Sequence, residues 1–190
     1  MSIIEEESSP LEIPRIENEL ENFSKSIIEW EEEIYLDLSF CETNIENYGK
    51  IIIADDKMMN LEATRFSMEE MKLLPLCIFC LDGKEAIDSA LEILNQALVS
   101  CPPDKKTKPI EAMLIDFQMP YKNGLEVFKT LETFYQNEPR LISATTVILT
   151  SFCTTTFQRF LREKGVEHVF EKPMNKAREK QLISILQGHK

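Results

Sequence analysis

The chain has 190 residues, 43% of them hydrophobic, and a formal net charge of −12, which allows one domain with a real core plus an extension. The acidity is uneven: residues 1–50 carry 14 acidic and 3 basic side chains, against 19 and 18 over residues 51–190. This balance argues against nucleic acid as a partner; no apolar run reaches the roughly 18 residues of a membrane span; and the start Met1–Glu7 lacks a signal peptide's basic opening, so a soluble, cytoplasmic protein is expected.

In chain order, the acidic segment comes first. Ile13, Ile16, Leu20, Phe23, Ile27, Trp30 and Ile34 follow a 3-4-3-4 spacing, the a/d pattern of a coiled coil. Pro14 suits a first helical turn. The segment 1–49 is therefore predicted as an acidic, partly helical extension, packed on the body or forming a homodimer seam, with a disordered acidic tail as the third reading. Ile34 to Phe40 also alternates apolar and polar, which leaves a short strand open there.

From residue 50 to residue 187 a second domain is predicted, in which strand-like and helix-like stretches alternate. Lys50–Ala54 reads as a strand buried on both faces, followed by a helix over Asn60–Leu73. Leu76–Cys80 is the second strand and Glu85–Leu98 the second helix, with Ala86, Ile87, Ala90, Leu91, Leu94 and Leu98 on its apolar side. After a Pro- and Lys-rich loop at 102–109 come a strand over Ala112–Asp116 and a helix over Gly124–Tyr135. Thr145–Thr150 is the fourth strand, Thr155–Lys164 a helix ending at Gly165, and Val166–Phe170 the fifth strand. A last helix runs from Asn175, its cap, to Leu186. The five cysteines, an odd number, do not suggest a disulfide framework. Cys77-Ile78-Phe79-Cys80 lacks the second Cys/His pair of a zinc site, so buried thiols are predicted.

Five strands separated by helices make an α/β domain, a doubly wound parallel sheet. Sites on such sheets form outside the carboxyl ends of the strands. There stand Asp55 and Asp56 after the first strand, Asp116 ending the third, Thr150 ending the fourth, and Lys172-Pro173 after the fifth. Carboxylates gathered in one place repel, and Mg²⁺, a hard cation with oxygen ligands, relieves the conflict. Asp116 is then the candidate nucleophile for phosphoryl transfer, with Thr150 and Lys172 as donors to phosphate oxygens.

Five stretches in this order, "IIIADDKMMN", "LDGKEAI", "LIDFQMPYKNGLEV", "VILTS" and "FEKPM", resemble the receiver domain of two-component and phosphorelay signalling, of the kind fused to hybrid histidine kinases. The resemblance implies a flavodoxin-like sheet of order 2-1-3-4-5. It implies Asp116 as phosphoacceptor, Mg²⁺ held by Asp56, Asp116 and the carbonyl of Gln118 with Asp55 partly through water, and Thr150 and Lys172 on the phosphoryl group. It also implies a Lys172-Pro173 bond that is often cis. The expected partners are a histidine kinase or histidine phosphotransfer protein upstream and a protein target downstream, with catalysis confined to the domain's own phosphorylation and dephosphorylation.

One position departs from the pattern. The family usually has an aromatic residue three positions before the site lysine, where this chain has Val169, and Phe170 is expected on the other strand face. The loops before the third and fourth strands are longer than usual. Asn60 reads either as a helix-start residue or as part of the site, and His168 as a partly exposed structural residue. Two other readings are a Mg²⁺-dependent phosphatase with an aspartate nucleophile and a receiver-like interaction module that is never phosphorylated. The first usually needs an Asp two residues after the nucleophile, where Gln118 stands.

Overall fold

The computed structural model describes residues 48–188. The predicted N-terminal helix and its dimer seam lie outside the described residues. The β-branched run of the first strand forms β1 (Lys50–Ala54), in which Ile51, Ile52, Ile53 and Ala54 are all buried. It is followed by α1 (Met58–Glu70), a 3-10 turn (Leu74–Leu76) and β2 (Cys77–Cys80). Then come α2 (Gly83–Ser100), β3 (Ile110–Asp116), α3 (Gly124–Asn137), β4 (Thr145–Thr150), α4 (Thr155–Glu163), β5 (His168–Glu171) and α5 (Lys176–Leu186).

All strand pairs are parallel and the sheet order is β2-β1-β3-β4-β5. The central strand β3 is buried along its whole length, as expected for a strand covered on both faces. Alternating side chains feed two cores. Ile52, Met113, Ile115 and Ile148 face α2, α3 and α4, meeting Ala90, Leu94, Val127, Leu131 and Leu161. Ile51, Ile53, Leu114 and Leu149 face α1 and α5, meeting Leu61, Met68, Leu182 and Ile183.

Several boundaries differ from the sequence reading. Helix α1 begins at Met58, before Asn60, because Asp55 accepts from the Lys57 amide and starts the turn early. It ends at Glu70, not Leu73. Lys72 takes φ 57°, and the Leu73 amide reaches back to the Met68 carbonyl at 2.8 Å, the wrap that closes a helix through a left-handed residue. Helix α2 starts at Gly83 because Asp82 caps it, accepting from the Glu85 amide. Strand β5 runs from His168 to Glu171 instead of Val166 to Phe170: Gly165 turns the chain at φ 94°, and Val166 is used in a backbone bond to Leu161. Phe66 on α1 is exposed.

Two glycines set close contacts beneath the carboxyl edge. A Cβ on Gly83 would lie 2.0 Å from the Lys122 carbonyl oxygen, so α2 packs against the β3–α3 loop only because the side chain is missing. At Gly124 it would lie 2.6 Å from the Asp116 carbonyl oxygen. Asn123 and Glu126 form a reciprocal capping box that starts α3 directly behind Asp116.

Candidate functional site

The carboxyl ends of β1, β3, β4 and β5 bring the predicted polar residues together. Asp55, 3% exposed, is held from three directions. The Lys57 amide and the Asn60 side-chain amide each donate to its Oδ1 at 3.0 Å, and the Lys172 ammonium donates to its Oδ2. The same ammonium lies 2.8 Å from Asp116 Oδ1. Asp116 itself is 7% exposed, whereas Asp56 is open to solvent. Asp55, Asp56 and Asp116 each offer a carboxylate oxygen, all within 4.8 Å of one another.

Three carboxylates thus face one ammonium. Burial raises the pKa of Asp116 above the ordinary value, and the Asp55 charge pushes the same way. Lys172 and the Gln118 backbone pull it back. The site is short of positive charge, and its donors are all hard oxygens. That donor set fits a hard divalent cation of the Mg²⁺ type better than a soft one.

Thr150, 4% exposed, ends β4 beside this cluster. Its Oγ1 accepts from the Phe152 amide at 3.0 Å, and its carbonyl accepts from the Lys172 amide at 2.9 Å. The second bond ties the lysine's backbone to the β4 end and so fixes where its long side chain starts. The Lys172-Pro173 peptide bond is cis. Gln118 lies on the exposed loop directly after Asp116.

The departure at residue 169 has a plain geometric form. Val169 packs on the α2–α4 side of the sheet, and Phe170 is buried on the α5 side with Arg178 over its ring at 5.4 Å. His168 begins β5, at the strand end opposite Lys172. Cys77 and Cys80 pack into opposite cores and bond to different partners, the Leu73 carbonyl and the Ser89 hydroxyl. Burial pushes their thiols up to about 12 and 11. They do not share a metal, and Cys77 is half-buried where full burial was expected.

Of the two readings the sequence left open for Asn60, the structure has it beside the site, where its side-chain amide orients Asp55. Sequence reasoning gave a second neighbour no role. Phe117, the residue after Asp116, meets Phe157 of α4 edge-on at 4.7 Å, and Phe152 and Phe160 extend that cluster outward. The only sequence signal for it is an unusual density of phenylalanines after β4.

No protein-family model matches the sequence, and no curated protein is similar to it at the level of sequence. Solved structures do match. The receiver domain of the histidine kinase CKI1 from Arabidopsis thaliana, complexed with Mg²⁺ and BeF₃⁻, superposes with a TM-score of 0.62 at 17% identity, covering 74% of this chain and 90% of that one. The complex of the Saccharomyces cerevisiae phosphotransfer protein Ypd1 with the receiver domain of Ssk1 contains a match with a TM-score of 0.58 at 17% identity, covering 72% and 87%. The CheX–CheY complex from Borrelia burgdorferi contains another, with a TM-score of 0.56 at 15% identity, covering 73% and 89%. The chain therefore has the receiver-domain fold, a flavodoxin-like sheet of order 2-1-3-4-5. Among the described residues no helix is long and apolar enough to cross a membrane.

Proposed function

We propose that residues 50–187 are a phosphorelay receiver domain that accepts a phosphoryl group from a phosphohistidine onto Asp116, with residues 1–49 as an acidic extension. The observation that carries this reading is the meeting of Asp55, Asp56, Asp116 and Lys172 at one edge of a parallel sheet. The solved relatives support it, since one holds Mg²⁺ with a fluoride complex and another is paired with a phosphotransfer protein.

Asp55, Asp56, Asp116 and the Gln118 carbonyl would hold Mg²⁺, which supplies the positive charge that lets an anionic phosphate approach anionic carboxylates. Asp116 contributes a carboxylate oxygen as nucleophile. The bond from phosphorus to the donor imidazole nitrogen breaks as the bond to the Asp116 oxygen forms, and the departing imidazole takes a proton from solvent. The Lys172 ammonium, already 2.8 Å from Asp116, is within reach of a phosphoryl oxygen there. The Thr150 hydroxyl accepts from the Phe152 amide and keeps its own proton to donate to a second oxygen. Hydrolysis of the adduct returns the site to its starting state, so catalysis is confined to the domain's own modification. The partners are a histidine kinase or phosphotransfer protein and a downstream protein, in the cytoplasm, with no nucleic acid or membrane involved.

Val169 favours one other reading, an interaction module that is never phosphorylated, because the strand-five aromatic is missing. Incubation with phosphoramidate separates the possibilities by intact mass. The receiver gains one phosphoryl group in Mg²⁺ and none in EDTA. A Mg²⁺-dependent phosphatase would instead release phosphate over many turnovers. An unmodified protein under both conditions would leave the interaction module.

A further inference from the structure

Tyr121 stands in the β3–α3 loop, shortly after Asp116, in a conformation that its residue type disfavours. Its φ is 61°, and across it the Lys122 amide donates to the Pro120 carbonyl at 2.7 Å. A three-residue turn closed at positive φ is rare and strained, and a bulky side chain there adds to the strain. The flanking contacts leave the loop little room to relax. The Gly124 amide donates to the Phe117 carbonyl at 3.0 Å, the Lys122 carbonyl is packed on Gly83, and Asn123 is fixed as the cap of α3. The turn needs only a residue at ease with positive φ, and glycine or asparagine would meet that need with less strain.

Burial does not offset the strain, because Tyr121 is 79% exposed. An aromatic residue held in a disfavoured conformation and left in solvent points to a contact outside its own chain. The phosphoryl reaction says what lies there. Asp116 is almost fully buried, and a donor imidazole must bring its phosphorus within bonding reach of that carboxylate. A protein that carries the imidazole therefore rests on the loops around Asp116. Those loops expose apolar side chains: Met58 and Met59 in the first turn of α1, Tyr121 itself, and Phe152 between β4 and α4. The adjacent Lys122 is already paired with Glu126 at 3.2 Å. Tyrosine is among the residues that most often dominate an interface.

We propose that Tyr121 is the anchor on which a phosphohistidine-bearing protein docks over Asp116. Its ring packs against apolar surface beside the donor histidine, and the left-handed turn holds it out for that contact. This rests on Asp116 as phosphoacceptor and adds the residue that selects a protein donor over a small one.

The test phosphorylates the full chain in Mg²⁺ with two donors in parallel, phosphoramidate and phosphorylated Ypd1. Tyr121→Asn, which suits the turn but lacks the ring, should melt about 2–4 °C higher than the wild type. It should take label from phosphoramidate at the wild-type rate, since a small donor needs no docking surface. From Ypd1 it should take label at least about tenfold more slowly, with the loss in KM and not in kcat. Tyr121→Phe, which keeps the ring, should match the wild type with both donors. Transfer from Ypd1 to Tyr121→Asn at the wild-type rate overturns the proposal. So does equal slowing with both donors, which would make Tyr121 a support of Asp116 only, or a wild type that phosphoramidate labels and Ypd1 does not. A wild type that phosphoramidate leaves unlabelled contradicts the phosphoacceptor reading itself, and the anchor falls with it.

Discussion

Lys172 decides what Asp55 and Asp116 can do. In the described structure it is the counter-ion of both, and each is almost fully buried. Lys172→Met leaves two buried carboxylates facing each other, and the loss expected in urea unfolding without divalent ions is about 3–5 kcal/mol. Asp116→Asn acts in the opposite direction. Burial raises the carboxyl's pKa in the folded protein, so this group's contribution to stability is greatest below its unfolded pKa and is lost as pH rises through the folded one. Asp116→Asn should therefore melt a few degrees higher than the wild type at pH 8 in EDTA. The gap should close in acid, where Asp116 is protonated in the wild type. Thermal scans across pH read both the sign and the window.

The residues at this scale were legible because each ends an apolar strand: Asp116 after Met113-Leu114-Ile115, Thr150 after Val147-Ile148-Leu149, Lys172 after Val169-Phe170. Their meeting follows from the parallel order alone. Asn60 was not legible in the same way, since its bond to Asp55 depends on how the β1–α1 turn closes. The Phe117–Phe157 contact depends on packing between elements far apart in the chain.

At the scale of elements, the sequence pattern located the five strands and five α-helices of the described residues, while local hydrogen bonds set the ends. Asp82 and Asn123 fixed helix starts by capping, Asp55 tied the Lys57 amide ahead of α1, and Lys72 ended α1 in a conformation that no hydrophobic pattern encodes. The capping box of α3 matters to the site because it starts the helix just behind Asp116. Asn123→Ala should cost about 1 kcal/mol in denaturant unfolding. Gly83→Ala tests the close contact of α2 with the β3–α3 loop. The Lys122 backbone would have to shift, and a loss of at least about 2 kcal/mol is expected. A neutral Gly83→Ala would mean that the loop yields freely and does not hold the edge in place.

For the described domain as a whole, one edge of the sheet gathers three carboxylates around one lysine. Mg²⁺ should stabilise the folded chain by mass action, by about 2.7 kcal/mol at a hundredfold excess over its dissociation constant. Asp56→Asn should remove most of that gain, as read by melting with and without Mg²⁺, while scarcely changing stability in EDTA because its side chain is exposed. The architecture of the described residues was readable from the alternation of strands and helices.

The most direct test of the central claim is borohydride trapping after phosphoramidate treatment in Mg²⁺. An acyl phosphate is reduced to the corresponding alcohol, so peptide mass spectrometry reports which carboxylate carried it. The expected result is homoserine in place of Asp116 alone, dependent on Mg²⁺. A label on any other residue, or no label with the protein folded and Mg²⁺ bound, would contradict the account.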